Sequence, residues 1–392
     1  MAFAIGVVCR CDIGLASPLE LLMLRQIALT AIITVAACAP VVARTIVDAA
    51  GRAVNVPDVI SRVMPAGPPA SVLIYVLAPE KLVSWVHAPM AEDREFLLPM
   101  VRSLPTTDRL NDGSTEVDLG PLLVTRPDII IDVGTVNEAY VASADRIQEL
   151  TGIPYVLVDG RLPRTADSLR QVGDLLGVSN RAEELARYAE HTFETLSSDL
   201  ASIAPAARPL VYYGRGHDGL QTGLGGSINL EVLAILGARN VAGTRPGGLV
   251  KVSPAQVRDW DPQVILAAAP EFAESARNDP RWAEIAAVRE RRIYETPMRP
   301  FGWFESPPGV NRLLGIAWLK EILYPGAFDV DLEAEARAFF KLFYQVDLSD
   351  RQLDTLLDTS ARHHRGASPV IPPRKAGAAS PNVTDEPNPP RL

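Results

Sequence analysis

The chain has 392 residues, 47% hydrophobic and 22% charged, enough to bury the cores of about two domains. A formal net charge of −9 excludes a general binder of phosphate backbones. Cys9, Cys11 and Cys38 all precede Arg44, so the body of the chain has no disulfide framework, thiol nucleophile or cysteine–zinc site.

Residues 1–43 read as a targeting segment. Arg25 supplies a short positive region, Ile27–Ala37 the apolar stretch, and Val41-Val42-Ala43 small residues for cleavage before Arg44. Residues 1–22 fit no such plan, which points to a translation start at Met23. A second reading takes Val35-Ala36-Ala37-Cys38 as a lipoprotein box with Cys38 lipidated. The apolar run is short for a retained membrane span, and no second run of that length follows. The expected location is the periplasm, free or anchored through Cys38.

In chain order, the first α/β lobe is expected over residues 44–160. Asp48–Gly51 turns between two short strands, and Ala70–Leu77 reads as a helix with proline near its start. Lys81–Val86 is a further apolar run ending at His87, and Val117–Thr125 a short helix. Pro127–Val133 is an apolar strand of the parallel-sheet type, followed by a helix over Glu138–Thr151 and a strand over Ile153–Val158. Residues 161–207 hold the linking helices. Within them Leu185, Ala189, Phe193, Leu196, Leu200 and Ile203 form one helical stripe from an N-cap at Asn180. Pro205 ends this helix, roughly 36 Å long at 1.5 Å per residue. It is the stiff crossover about which the chain is organised.

The same syntax returns in a second lobe over residues 208–324. Strands are expected at Leu210–Tyr213, Pro262–Ala268 and Arg292–Glu295, with helices at Asn229–Gly237, Ser253–Trp260 and Pro280–Val288. LGPLLVTRPDIIID and PAQVRDWDPQVILA are a weak internal repeat of short helix, proline and apolar strand. Helices at Pro307–Tyr324 and Leu332–Tyr344, and a last one at Leu348–Leu357 with a Ser349/Gln352 capping box, close the folded part over residues 325–360. Residues 361–392, rich in proline, read as a disordered tail. The fold class is α/β: two Rossmann-like lobes joined by a single long α-helix, with a ligand cleft between the lobes.

Ligands of open α/β sheets bind beyond the carboxyl ends of the strands. In the first lobe that nominates Pro68, His87 and Asn137. In the second, Tyr212–His217 gathers two phenols, a guanidinium and an imidazole. Arg215 suits bidentate capture of an anion, while Tyr213 and His217 suit a metal or a chelate. The competing reading buries Tyr212 and pairs Arg215 with Asp218. Around Met298–Phe304, Arg299 and Trp303 suit a flat or aromatic ligand, whereas Phe301 and Phe304 seal the lobe. His191 reads as surface, and His363 and His364 lie in the tail. No P-loop, HExxH or GxSxG is present, and no catalytic set emerges.

The opening RTIVDAAGRAVNVPDVISRVMPAGP, the PDIII strand, the long helix, SINLEVLAILGARNVA and KVSPAQVRDWDPQVILAA resemble the helix-linked (class III) periplasmic substrate-binding proteins of ABC importers, the group carrying iron–siderophore complexes, haem and cobalamin. The likeness covers roughly Arg44 to Tyr324. It implies a rigid, monomeric, non-enzymatic receptor whose partners are an inner-membrane ABC permease and an outer-membrane receptor system, with no nucleic acid. It also implies one docking glutamate on each lobe. Glu231 falls at the second-lobe position. Gly120 replaces the first-lobe glutamate, with Glu116 or Asp118 as substitutes. No cofactor is expected, and the favoured ligand is an iron complex, ferric siderophore or haem. Alternatives are cobalamin, a metal ion, a molybdate-type oxyanion, a chelatase-like enzyme with His217 as base or metal ligand, or a surface module anchored through Cys38.

Overall fold

A computed structural model describes residues 43–110 and 120–361. The targeting segment with Cys38, the docking candidates Glu116 and Asp118, and the tail beyond Ala361 lie outside the described residues. The described part opens on strands β1 (Ala43–Val47) and β2 (Ala53–Pro57), where Thr45 Oγ1 donates to Asn55 Oδ1 at 2.7 Å. The intervening turn is built on Asp48. Its carboxylate accepts from the Ala50 and Arg52 amides and from the Arg52 guanidinium, and Gly51 takes the left-handed conformation such a turn needs.

The first lobe contains β3 (Val63–Pro65), α1 (Pro68–Leu77), β4 (Trp85–Val86), β5 (Thr106–Thr107), α2 (Gly120–Thr125), β6 (Ile129–Gly134), α3 (Glu138–Thr151) and β7 (Tyr155–Asp159). Its central sheet has the order β3–β6–β7, all parallel; β4 and β5 form a separate parallel pair, and Leu82, just before β4, makes an isolated bridge to Val63. Strands apolar on both faces need cover on both sides. Met64, Ile130 and Leu157 accordingly pack with Ala144 and Ile147 of α3.

Two helices cross from this lobe: α4 (Thr165–Leu176) and the 23-residue α5 (Ser179–Ala201). The sequence places the N-cap at Asn180, but Val178 occupies it. Gly177 at φ 73° turns the chain so tightly that Ser179 and Asn180 are already helical. Of the expected stripe, Leu185, Ala189 and Leu196 are buried, joined by Ala182, whereas Phe193, Leu200 and Ile203 are only half-buried. The two helices touch closely at Gly173, where a Cβ would lie 2.1 Å from that of Ala182.

The second lobe runs through β8 (Leu210–Gly214), β9 (Gln221–Gly223), α6 (Glu231–Ile235), β10 (Arg239–Asn240), β11 (Leu249–Lys251), α7 (Pro254–Trp260), β12 (Val264–Ala267), α8 (Pro270–Asn278), α9 (Ala286–Arg289) and β13 (Ile293–Glu295). Its four-stranded parallel sheet has the order β10–β8–β12–β13, with β9 and β11 paired antiparallel apart from it. Tyr212, Ile265, Phe272, Trp282 and Ile293 share one core. The helix expected over Pro280–Val288 is largely absent. Asp279 accepts from the Arg281 amide and guanidinium and turns the chain there, so only Ala286–Arg289 are helical. The helix lies earlier, in α8, which buries Phe272, Ala273 and Ala276.

Three helices complete the chain: α10 (Arg312–Leu323), α11 (Leu332–Phe339), extended by a π-helical turn Phe340–Tyr344, and α12 (Asp350–Ala361). α10 starts five residues later than expected from Pro307, after Pro307, Pro308 and Gly309. The Ser349/Gln352 capping box forms in front of α12.

Candidate ligand cleft

The carboxyl ends of strands from both lobes open onto a cavity of about 600 Å³. The first lobe contributes Pro68, His87, Asp93, Arg109, Asp132 and Tyr140. The second contributes Arg215, Asn229, Phe301 and Glu305.

Arg215 follows β8, whose buried residues hold the strand end in place, and a bridge to Gln221 folds the next loop back. Gly219 makes that return possible, since a Cβ there would collide with the Phe272 ring. The Arg215 partner is neither solvent nor Asp218, which instead accepts from the Leu220 amide. Its Nε donates to Glu305 Oε1 at 2.7 Å and Nη1 to Gln221 Oε1 at 2.9 Å. Glu305 is only 4% exposed and also accepts from the Tyr213 hydroxyl at 2.7 Å. Tyr213 is therefore a buried support behind the wall. Burial first, then the Glu305 charge, push its pKa well up, which keeps it a neutral donor.

On the opposite wall, Asp132 interrupts the apolar run of β6 and accepts from the Tyr155 hydroxyl at 3.0 Å. Burial, then this carboxylate, push the Tyr155 phenol well above its ordinary range. Arg109 and Asp132 both border Gly67, a Cβ there standing at ordinary contact distance, 3.7 Å from Arg109 Nε and 3.9 Å from Asp132 Oδ1. Pro68 and Pro69 then open α1. They remove two amide donors from the helix end. His87 is exposed in the left-handed region at φ 62°, just beyond β4, whose Val86 amide donates to Ser71 Oγ at 3.0 Å.

The remaining sequence candidates sit elsewhere. Asn137 is the N-cap of α3, accepting from the Tyr140 amide at 3.1 Å, and it is Tyr140 that reaches the cavity wall. His217 is exposed, with Nδ1 3.4 Å from Glu271 and away from the lining. Arg299 donates from Nη1 to Asp93 Oδ1 at 2.8 Å, so it reaches the cavity through Asp93. Trp303 is fully buried and donates from Nε1 to the Arg299 carbonyl at 3.0 Å.

Glu231 is not the exposed carboxylate its sequence position implies. It accepts from the Leu162 amide at 2.7 Å and from Arg312 Nη1 at 3.1 Å, with 20% of its side chain exposed. Among the described residues no group of three or more His, Cys, Asp or Glu gathers as a metal cluster, and no helix is long and apolar enough to cross a membrane.

Sequence reasoning passed over Asp93, Asp132, Tyr140 and Glu305. One of these carried a signal: a carboxylate interrupting the run IIIDVG must be buried and therefore partnered. Asp93, in the charged run AEDREF, looks like any solvated turn.

Two parallel-sheet lobes, long crossing helices and a cavity at the facing strand ends define a two-lobed binding protein. Residues 88–300 match the family model described as periplasmic binding protein, and the chain belongs to that family, in its helix-linked form serving ABC importers. Members of this family are extracytoplasmic solute-binding proteins. The chain is 25% identical over 337 residues to the molybdate-binding protein MolA of Haemophilus influenzae, a match covering 77% of this chain and 91% of MolA. Among solved structures, an ABC transporter solute-binding protein from Sulfurospirillum deleyianum superposes with a TM-score of 0.73 at 30% identity, covering 80% of this chain and 99% of that one. MolA bound to molybdate superposes at 0.66 with 21% identity, covering 78% and 99%.

Proposed function

We propose that this chain is the receptor of an ABC importer for a compact anion of the molybdate type, captured in the cleft and passed to the permease. The observation that carries this reading is the Arg215 guanidinium. Glu305 and Gln221 fix Nε and Nη1, and the guanidinium so held lines the cavity. A donor fork held in this way loses little entropy on gripping an oxyanion. Arg109 and His87 line the same cavity. The molybdate-binding relative supports an oxyanion ahead of the iron complexes that the sequence favours. A ferric chelate is the second reading. A cavity of about 600 Å³ walled partly by Phe301 and Tyr140 is in the size range of drug-like ligands.

Isothermal titration of the purified chain with molybdate, tungstate, sulfate, a ferric catecholate and haem tests both. The oxyanion reading expects saturable binding of molybdate or tungstate with sulfate much weaker. Saturable binding of the catecholate or haem with no molybdate heat would overturn it.

A further inference from the structure

The stretch from Pro297 to Pro307 leaves the second lobe after β13 and touches the first lobe at two points. Arg299 Nη1 grips Asp93, whose side chain is 2% exposed, and the Phe301 ring lies 5.4 Å from that of Trp85. The stretch is internally stiff. The Trp303 amide donates to the Pro297 carbonyl at 2.9 Å, the Gly302 amide to the Ser306 carbonyl at 2.7 Å, and Trp303 Nε1 to the Arg299 carbonyl. Gly315 of α10 backs it so closely that a Cβ would lie 1.9 Å from the Trp303 carbonyl oxygen. At its far end stands Glu305, which holds Arg215.

We infer that Arg299 is a positioning residue: by clasping Asp93 of the opposite lobe it fixes this strap, and through Glu305 it sets the Arg215 guanidinium in the cleft. The ligand part of this inference rests on the oxyanion reading above. The clasp itself does not, because both of its partners, Arg299 and Asp93, belong to the chain. Asp93 both lines the cavity and anchors the strap, so the width of the cleft and the aim of its anion-binding arginine are set together.

The test uses the full chain with Cys9, Cys11 and Cys38 replaced by serine and spin labels at Glu149→Cys and Glu274→Cys, one on each lobe. Without ligand, Arg299→Gln should broaden the distance distribution between the labels, and Arg299→Lys should restore most of its sharpness. Asp93→Asn combined with Arg299→Gln leaves no lone buried charge, so it remains measurable if a single variant fails to fold, and it should broaden the distribution as Arg299→Gln does. With molybdate as probe, Arg299→Gln should speed dissociation about tenfold, the Lys variant less. An unchanged distribution overturns the clasp. A broadened distribution with unchanged dissociation overturns the link to Arg215. If the parent chain binds no molybdate, the oxyanion reading fails, while the distances still decide the clasp.

Discussion

Arg312 extends Nη2 from the start of α10 to the carbonyl oxygen of Gly160, 2.8 Å away at the end of the first lobe. The same guanidinium meets Glu231 of the second lobe, and Glu231 in turn accepts from the Leu162 amide. One ion pair thus ties the start of α10 to both lobes. Gly160 itself lies tight against the end of β6, where a Cβ would lie 2.8 Å from the Gly134 Cα. Desolvation is the leading influence on Arg312 and, against the pull of Glu231, brings its pKa down to about 10, so it stays charged at neutral pH.

Glu231→Ala should therefore destabilise the fold. Removing one partner leaves Arg312, which is 2% exposed, without its counter-charge. Breaking a well-buried pair costs about 3–5 kcal/mol, and the partial exposure of Glu231 reduces this to about 2 kcal/mol. Guanidinium denaturation reads the loss directly. An unchanged midpoint would mean that the pair with Arg312 contributes nothing to the fold, leaving Glu231 only the docking role that the family resemblance implies.

Arg215→Gln should weaken anion capture without unfolding the chain. A hydrogen bond to a charged group contributes about 1.5–3 kcal/mol, which corresponds to a loss of about tenfold to a hundredfold in affinity. Titration of molybdate into the variant checks it, and affinity equal to that of the parent would exclude Arg215 from the ligand.

The lobes were legible in the sequence because their signals are local. Glu138–Thr151 is helical over the expected residues, and the apolar runs at Ile129 and Val264 are buried parallel strands. The site was less legible because its wiring is long-range. Asp218, three residues from Arg215, was the natural partner to name, yet the actual one is Glu305, 90 positions away. Likewise Arg299 reads as a free cation until Asp93, 206 positions earlier, is brought against it. Residue type marked these arginines as important. Only the fold shows which carboxylate each one holds.

Asp93 gives a pH signature. Burial raises its carboxyl above the ordinary 3.8, Arg299 opposes the rise, and Glu92 and Glu95 add to it. The folded chain thus takes up this proton at higher pH than the unfolded chain. The contribution of the group to stability is full below 3.8 and is lost as pH rises through the raised value. Asp93→Asn cannot titrate. The melting temperature of the parent relative to this variant should therefore climb as pH falls from neutral toward 3.8. Melts across that range read it, and a difference that shrinks toward acid would contradict the burial argument.

The crossing of α4 and α5 gives the sharpest packing test. Gly173 faces Ala182 with no room for a methyl group, since a Cβ on it would lie 2.1 Å from the Ala182 Cβ, and Val178 donates its amide back to the Gly173 carbonyl at 2.7 Å. Gly173→Ala raises helix propensity by about 1 kcal/mol, which by itself would stabilise α4. The overlap must instead push the helices apart, and forcing volume into a packed contact costs about 1–3 kcal/mol. The clash at 2.1 Å is with a backbone-fixed methyl rather than a flexible side chain, so the cost should win and the variant should unfold at lower denaturant. Adding Ala182→Gly removes the colliding methyl and should recover part of the loss, less the penalty of a glycine inside α5. A Gly173→Ala variant as stable as the parent would mean that the linking helices slide freely past one another, and a rod that slides cannot hold the two strand-end rims in register.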